Sequence, residues 1–502
     1  MVSTILTGAV YGIGGYLITV EVDMAEGLPC IDMVGFLGSE VKESAERVRV
    51  AIKNGGYVIP PKRFTINLSP AGIRKGGSAF DLPIAIGILE SMGVVKMDKR
   101  EEMLIAGELG LDGAVRSIRG VLPILLAAKE QGIKVCIIPE ANRKEGECVG
   151  GIRIIGIKTL KDAVGILMNP IKLQVKPGKT SFQDISPWKG ITDFENIIGQ
   201  PVARRAAEIA AAGFHNLLFT GPPGTGKSMI ASAMPGILPP MNEEEMLDTS
   251  KVYSVAGMLN EEQYFIARRP FLNPHHTITP QALVGGGGIP RPGVISLANH
   301  GILFLDELPE FKRQTLDMLR QPLENGKITI ARKSGNYTYP CDFMLVAAMN
   351  PCPCGYYPDA MRCNCTDLEV KRYSGRVSGP LLDRIDLSVG VLRNSYEQIK
   401  SFRKEESSGE IRGRVMEARK RQRERNGPEL FNSRIPVTHL KKFCILKAEA
   451  ESVAERYYSS MDMSIRGYHR LLRVARTIAD LDGAFMIGKK HILEAASYRS
   501  AL

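Results

Sequence analysis

One segment, Gly221-Pro222-Pro223-Gly224-Thr225-Gly226-Lys227-Ser228, constrains this chain more than any other, because most of its positions have a physical reason. Glycines at 221, 224 and 226 let backbone N–H groups wrap a polyphosphate where a Cβ would obstruct them. Lys227 can then neutralise the outer phosphate oxygens, and Ser228 offers a hydroxyl to Mg²⁺. The apolar run Asn216-Leu-Leu-Phe-Thr220 leads into the segment as a strand and a helix is expected to leave it, so the anion would sit at a helix N-terminus. Further apolar runs at Ile302-Leu-Phe-Leu305, Phe343 to Ala348 and near Ile385-Asp-Leu-Ser-Val389, with helical text between them, predict a parallel sheet covered by helices.

Gly301-Ile-Leu-Phe-Leu-Asp306-Glu307 supplies a second half to the phosphate site. A buried strand carries one carboxylate for Mg²⁺ and another to polarise an attacking water. Asn350, at the end of the run Leu345 to Met349, is placed to orient that water. Arg384, in Leu381-Leu-Asp-Arg-Ile-Asp, and Arg466, in Ser464-Ile-Arg-Gly, are candidates to reach the nucleotide of a neighbouring subunit, where a guanidinium stabilises charge on a transferring phosphoryl group. A catalytic site completed between subunits implies a ring.

At 502 residues the chain exceeds one ordinary core. We divide it into 1–172, a linker at 173–193, a core at 194–395, a charged helical linker at 396–430 and a helical domain at 431–502. The first unit alternates β-rich runs, such as Tyr16 to Val22 and Phe64 to Leu68, with helical stretches Ser39 to Asn54 and Leu82 to Met92. The stretch 401–426 is charge-dense, with Arg412, Arg414, Arg419, Lys420, Arg421, Arg423 and Arg425 among its nine basic residues. It reads first as a solvated helical face and second as a nucleic-acid contact. No run approaches the length of a membrane span, and the opening residues lack a basic n-region, so a cytoplasmic location is expected.

Nine cysteines include a group at Cys352, Cys354, Cys363 and Cys365, the ligand count of a tetrahedral structural Zn²⁺ site; four reduced thiols in a loop is the alternative. Cys30, Cys136, Cys148, Cys341 and Cys444 read as isolated, mostly packed thiols. The net charge of +11 is compatible with a polyanionic partner without requiring one.

The motif order from P-loop to Arg466 resembles that of AAA+ ATPases. Four stretches narrow the resemblance to the magnesium-chelatase-like clade and, nearly end to end, to the YifB/ComM family: Arg269-Pro-Phe-Leu-Asn-Pro-His-His276, Ala282-Leu-Val-Gly-Gly-Gly-Gly288, Ile289-Pro-Arg-Pro-Gly-Val-Ile-Ser-Leu-Ala-Asn-His-Gly301 and Ser378-Gly-Pro-Leu-Leu-Asp-Arg-Ile-Asp-Leu387. The resemblance implies an α/β chain with a P-loop AAA+ core and a small all-α C-terminal lid. It makes Asn350 sensor 1, Arg384 a trans-acting arginine finger and Arg466 sensor 2, and Ile198 and Gly199 join the nucleotide-binding set. It also implies a helix-2 insert at 270–295 and a pre-sensor-1 hairpin, Lys327 to Tyr339, in which Arg332, Lys333 and Asn336 face a central pore. His275, His276 and His300 are assigned to packing rather than to a metal.

The N-terminal unit resembles the Lon-protease-like domain, of the ribosomal S5 domain 2-like α+β fold. Ser78 lies where that domain carries its nucleophile, but Val121-Leu122-Pro123 stands where a lysine base would, so proteolysis is not expected. The family implies a hexameric, ATP- and Mg²⁺-dependent motor acting on DNA as a branch-migration helicase. An ATPase remodelling a protein partner, as the chelatase motor does, is the alternative.

Overall fold

The computed structural model describes residues 2–72, 74–97, 102–169, 192–288, 290–332, 335–400, 405–460 and 463–499. The linker expected at 173–193 lies outside them up to residue 191, and Lys333 lies outside them as well.

In the N-terminal unit the strands Ser3–Tyr11 and Gly14–Ala25 pair antiparallel, and Arg63–Ser69 extends the pair. Cys30–Val34 then adds a parallel edge strand. Ile5, Val20, Val22, Phe64 and Ile66 point to one face of this sheet and are buried there. The helices Ser39–Asn54 and Asp81–Ser91 cover that face, and the second buries nine of its eleven residues. A smaller parallel sheet, Met103–Ile105, Val135–Pro139 and Arg153–Ile157, packs with the helices Val121–Glu130 and Leu160–Leu167. Antiparallel strands beside a separate parallel sheet make the unit α+β.

The central unit is a five-stranded parallel sheet in the order Phe271–Leu272, Ile302–Leu305, Met344–Met349, Leu217–Thr220, Leu387–Gly390. Ile302–Leu305 is buried along its whole length, as a strand with both faces covered must be. On one side the sheet shares a core with the alanine-rich helix Pro201–Gly213 and with the C-terminal helices Ala448–Ser460, Ile465–Leu481 and Lys489–Ser497. On the other it packs against Leu283, Ile295, Leu316 and the hairpin of Lys327–Arg332 with Gly335–Pro340. No described helix is long and apolar enough to cross a membrane.

The charge-dense stretch departs from the solvated face expected of it. It forms the helix Ser408–Asn426, with 401–404 outside the described residues. Arg414 pairs with Glu208 and Glu406, and Arg425 pairs with Asp480. Arg421 bonds the Asp480 carbonyl, and Arg419 lies over the Phe431 ring, its guanidinium carbon 3.7 Å from the centroid. These arginines tie the helix to the core and lid. Periodicity could not reveal this, because Asp480 is more than fifty residues further along the chain.

Among the described residues the N-terminal unit meets the core at several places, two of which frame a cavity. Glu145, on the short helix Arg143–Glu147, accepts hydrogen bonds from Ser254 of the helix Glu243–Ala256, from the Leu122 N–H and from Asn142. Tyr11, at the turn between the first two strands, stacks on Tyr337 of the hairpin with ring centroids 4.6 Å apart. Between these contacts lies a cavity of about 710 Å³ whose lining includes Arg74, Ser78, Glu108 and Arg291.

Candidate active site

The strand Leu217–Thr220 delivers the P-loop to the helix Lys227–Ala233 at the C-terminal edge of the sheet. Two reasons for its glycines separate here. Gly224 and Gly226 have φ of 74° and 90°, which side-chain-bearing residues avoid, and a Cβ on either would meet no protein atom within 4 Å. Gly221 is glycine for a different reason: a Cβ there would stand 2.2 Å from the Val391 carbonyl oxygen of the neighbouring strand's extension.

Lys227 Nζ donates to the carbonyls of Gly221 and Pro222, each at 2.8 Å, and to Asn350 Oδ1 at 3.1 Å. Burial pushes its pKa down, and Asp306 and Glu307 partly offset the shift. Ser228 Oγ donates to Asp306 Oδ2 at 2.6 Å, so a hydroxyl and a carboxylate, both hard oxygen donors suited to Mg²⁺, already stand together. Glu307 follows at φ 52°, ψ 48°, its N–H bonded to Asp306 Oδ1, with its side chain turned out and 59% exposed. Thr225 Oγ1 donates back to the Pro222 carbonyl and closes the loop on itself.

Ile198 and Gly199 lie against the chain that follows the last strand. Asn394 Nδ2 donates to the Ile198 carbonyl at 2.7 Å, and Gly199 N–H donates to Glu405. Val391, three residues before Asn394, is the neighbour of Gly221, so these two residues flank the P-loop.

Arg384 and Arg466 stand elsewhere. Asn216, at the start of the P-loop strand, donates to the Arg384 carbonyl, which puts Arg384 at the opposite edge of the sheet from the loop, about 13 Å away along the strand. Its guanidinium reaches Glu324 at 2.5 Å and the Arg320 carbonyl at 3.1 Å. Arg466, 71% exposed at the start of the helix Ile465–Leu481, approaches the same Glu324 at 3.9 Å. Both line a cavity of about 430 Å³ with Arg434, Arg470 and Arg473. Beneath them Asp386 accepts the Asn216 N–H and faces His215 and Arg470. Burial pushes the Asp386 carboxyl up, but these partners outweigh it and hold its pKa below the usual range.

The hairpin exposes Arg332 and Asn336. Arg332 Nε reaches the Gly287 carbonyl, and Tyr339 Oη donates to the Pro290 carbonyl, so the hairpin rests on the insert. In the N-terminal unit Ser78 donates to Glu108, and Leu122 is buried; Lys75 is also buried and bonds the Pro70 carbonyl.

Cys352, Cys354, Cys363 and Cys365 converge, their sulfurs all within 4.8 Å of one another. The separations of 3.3, 3.8 and 3.6 Å among the first three are close to the edge of about 3.8 Å of a tetrahedron with zinc–sulfur bonds. The Tyr356 N–H, followed by the other thiols, pulls the Cys354 thiol down to about 6. Of the remaining cysteines, Cys136, Cys341 and Cys444 are buried, whereas Cys30 is exposed.

One neighbour of the site was not legible from spacing. His276, assigned above to packing, has Nδ1 3.7 Å from Glu307 Oε2. The available signal was its position four residues past the strand Phe271–Leu272, which pairs with the strand that ends at Asp306-Glu307.

The chain is similar to known proteins along nearly its whole length. The family described as magnesium chelatase, subunit ChlI, matches residues 193–399; a second chelatase-subunit family matches 20–142, and its C-terminal family matches 405–499. Competence protein ComM of Haemophilus influenzae is 41% identical over 97% of this chain and 96% of its own length. Protein YifB of Escherichia coli is 40% identical over 99% and 97%. Lon protease 2 of Bacillus subtilis is 33% identical over 26% of this chain and 24% of its own length. The chain belongs to the ComM/YifB family of magnesium-chelatase-like AAA+ proteins.

Proposed function

We propose that this protein is an ATP-hydrolysing ring motor that works on DNA as a branch-migration helicase on recombination intermediates. The observation that carries the hydrolytic part is the pair of contacts Lys227–Asn350 and Ser228–Asp306, which gathers cation, polar sensor, hydroxyl and carboxylate at one end of the sheet. In this reading the P-loop N–H groups and Lys227 hold the phosphates, Glu307 takes the proton of the attacking water, and Asn350 orients that water. Mg²⁺, held by Ser228 and Asp306, would neutralise charge on the phosphate oxygens.

The ring part rests on the separation of Arg384 and Arg466 from their own P-loop. Arginines on the opposite edge of the sheet serve a neighbour's nucleotide, and six subunits is the size we propose. The DNA part rests on the net charge of +11, the exposed Arg332 and Asn336 of the hairpin, and the competence role named for the Haemophilus relative. We also assign a structural Zn²⁺ to the four clustered cysteines, a cytoplasmic location to the protein, and no proteolysis to Ser78.

The test is the steady-state ATPase rate alone, with single-stranded DNA and with a four-way DNA junction, each at two salt concentrations. Stimulation by DNA that fades with salt is the expected result, because phosphate contacts release counterions. Turnover indifferent to DNA in the assembled ring would replace the DNA motor with an ATPase that remodels a protein partner.

A further inference from the structure

The four-cysteine loop holds apolar side chains out in solvent. Met361 is 97% exposed, and Tyr357 and Leu368 are exposed as well. One such residue on a surface needs no explanation, but three on a short loop that is tied down from inside do. The ties are several. The four sulfurs converge, and Cys352 Sγ accepts the N–H groups of Gly355 at 3.2 Å and Tyr357 at 3.4 Å. At the tip the Asp359 carbonyl accepts the Arg362 and Cys363 N–H groups, and Asp359 Oδ1 accepts the Met361 N–H at 3.0 Å. The tip has therefore given up its backbone freedom before it meets anything, which lowers the cost of docking.

Its position says what it meets. The loop begins directly after Asn350 and rests on the P-loop, where a Cβ on Gly355 would stand 2.5 Å from Pro223 Cδ. Met361 and its neighbours thus belong to the nucleotide side of the sheet. Arg384 and Arg466 stand on the other side, and that face carries apolar side chains of its own. Ile465, next to Arg466, is 65% exposed, and Val437 is exposed where it lines the arginine cavity. A ring built from one repeated contact joins two different faces of the subunit. Whatever brings Arg384 and Arg466 to a neighbour's P-loop brings Ile465 and Val437 with them, and the loop lying on that P-loop is what they reach.

We propose that the four-cysteine loop is a subunit-docking element whose tip, Met361 with Tyr357 and Leu368, packs on Ile465 and Val437 of a second copy of this chain. The inference rests on the ring reading. It assigns the cysteines the task of presenting the tip in one fixed shape beside the nucleotide, and it gives the loop no part in hydrolysis.

The experiment is light scattering on the full chain over a range of protein concentrations, with a non-hydrolysable ATP analogue, for wild type, Met361→Asp, Ile465→Lys and the double variant Met361→Asp/Ile465→Lys. Each single variant is expected to raise the concentration at half-assembly about tenfold or more, the effect of losing one buried large apolar contact. The double variant places opposite charges across the contact and should assemble better than either single one. A loop that had merely misfolded could not be rescued from the opposite face. Single variants that assemble as the wild type does, or a double variant no better than the single ones, overturn the inference while leaving the ring intact. A wild type that stays a single subunit at every concentration overturns the ring reading and this inference with it.

Discussion

Lys227 spends its three donor positions on two carbonyls and Asn350, so the cation is already seated where a phosphate would exchange with backbone acceptors. Lys227→Ala is expected to weaken nucleotide binding by at least tenfold, about 1.4 kcal/mol, measured by titration with a fluorescent ATP analogue. Glu307→Gln keeps the shape of the side chain and removes the proposed base. It should bind ATP as the wild type does while kcat falls by about 10² to 10⁴, read in single-turnover hydrolysis. These residues were legible in the sequence because one short segment carries each half of the site, a turn of defined glycines or an apolar strand ending in two acids. The role of Gly221 was legible only in part: its position in the motif was clear, but its close approach to the Val391 carbonyl is a tertiary fact. His276 was missed for a similar reason, since nothing local marks the strand beside which Phe271–Leu272 will pair.

At the scale of elements, the cysteine loop and the P-loop are one unit. Gly355 sits at φ 87° with the Cys352 sulfur accepting its N–H, and a Cβ there would stand 2.5 Å from Pro223 Cδ. Gly355→Ala is expected to cost about 1–3 kcal/mol, seen as a lower melting temperature in differential scanning fluorimetry. It should also shrink the additional stabilisation given by ATP, because the strained loop pushes on Pro223. The parallel sheet was readable from apolar runs, whereas the hairpin was expected only through the family resemblance. The charge-dense helix was misread because its arginines look solvated by composition, and only the fold supplies Glu208, Phe431 and Asp480 as their partners.

For the molecule as a whole, the junction between the N-terminal unit and the core carries a pH dependence. Burial pushes the Glu145 carboxyl up against the pull of Ser254, Asn142 and the Leu122 N–H. A carboxyl raised in the folded chain holds its proton more tightly there than when unfolded. Its contribution is therefore complete below the ordinary carboxylate range and is lost as pH climbs through the raised value. Melting followed from pH 5 to pH 8 should show stability falling over that rise, and Glu145→Gln should flatten the slope. The arginine pair makes the other prediction at this scale. Arg384→Ala subunits mixed into wild type should depress ATPase beyond their share, since a trans-acting arginine is worth about 10³ to 10⁵ in rate; a strictly proportional fall would mean that each site works within one chain. The sharing of Glu324 by Arg384 and Arg466 carries a last consequence. Two guanidiniums against one carboxylate leave a surplus positive charge at the mouth of their cavity, and in the proposed ring Glu324 would hold the place of an incoming polyphosphate. In the proposed ring, nucleotide bound there would join one subunit to the next, so assembly and ATP binding would be linked equilibria: each strengthens the other, and every phosphate released loosens a joint.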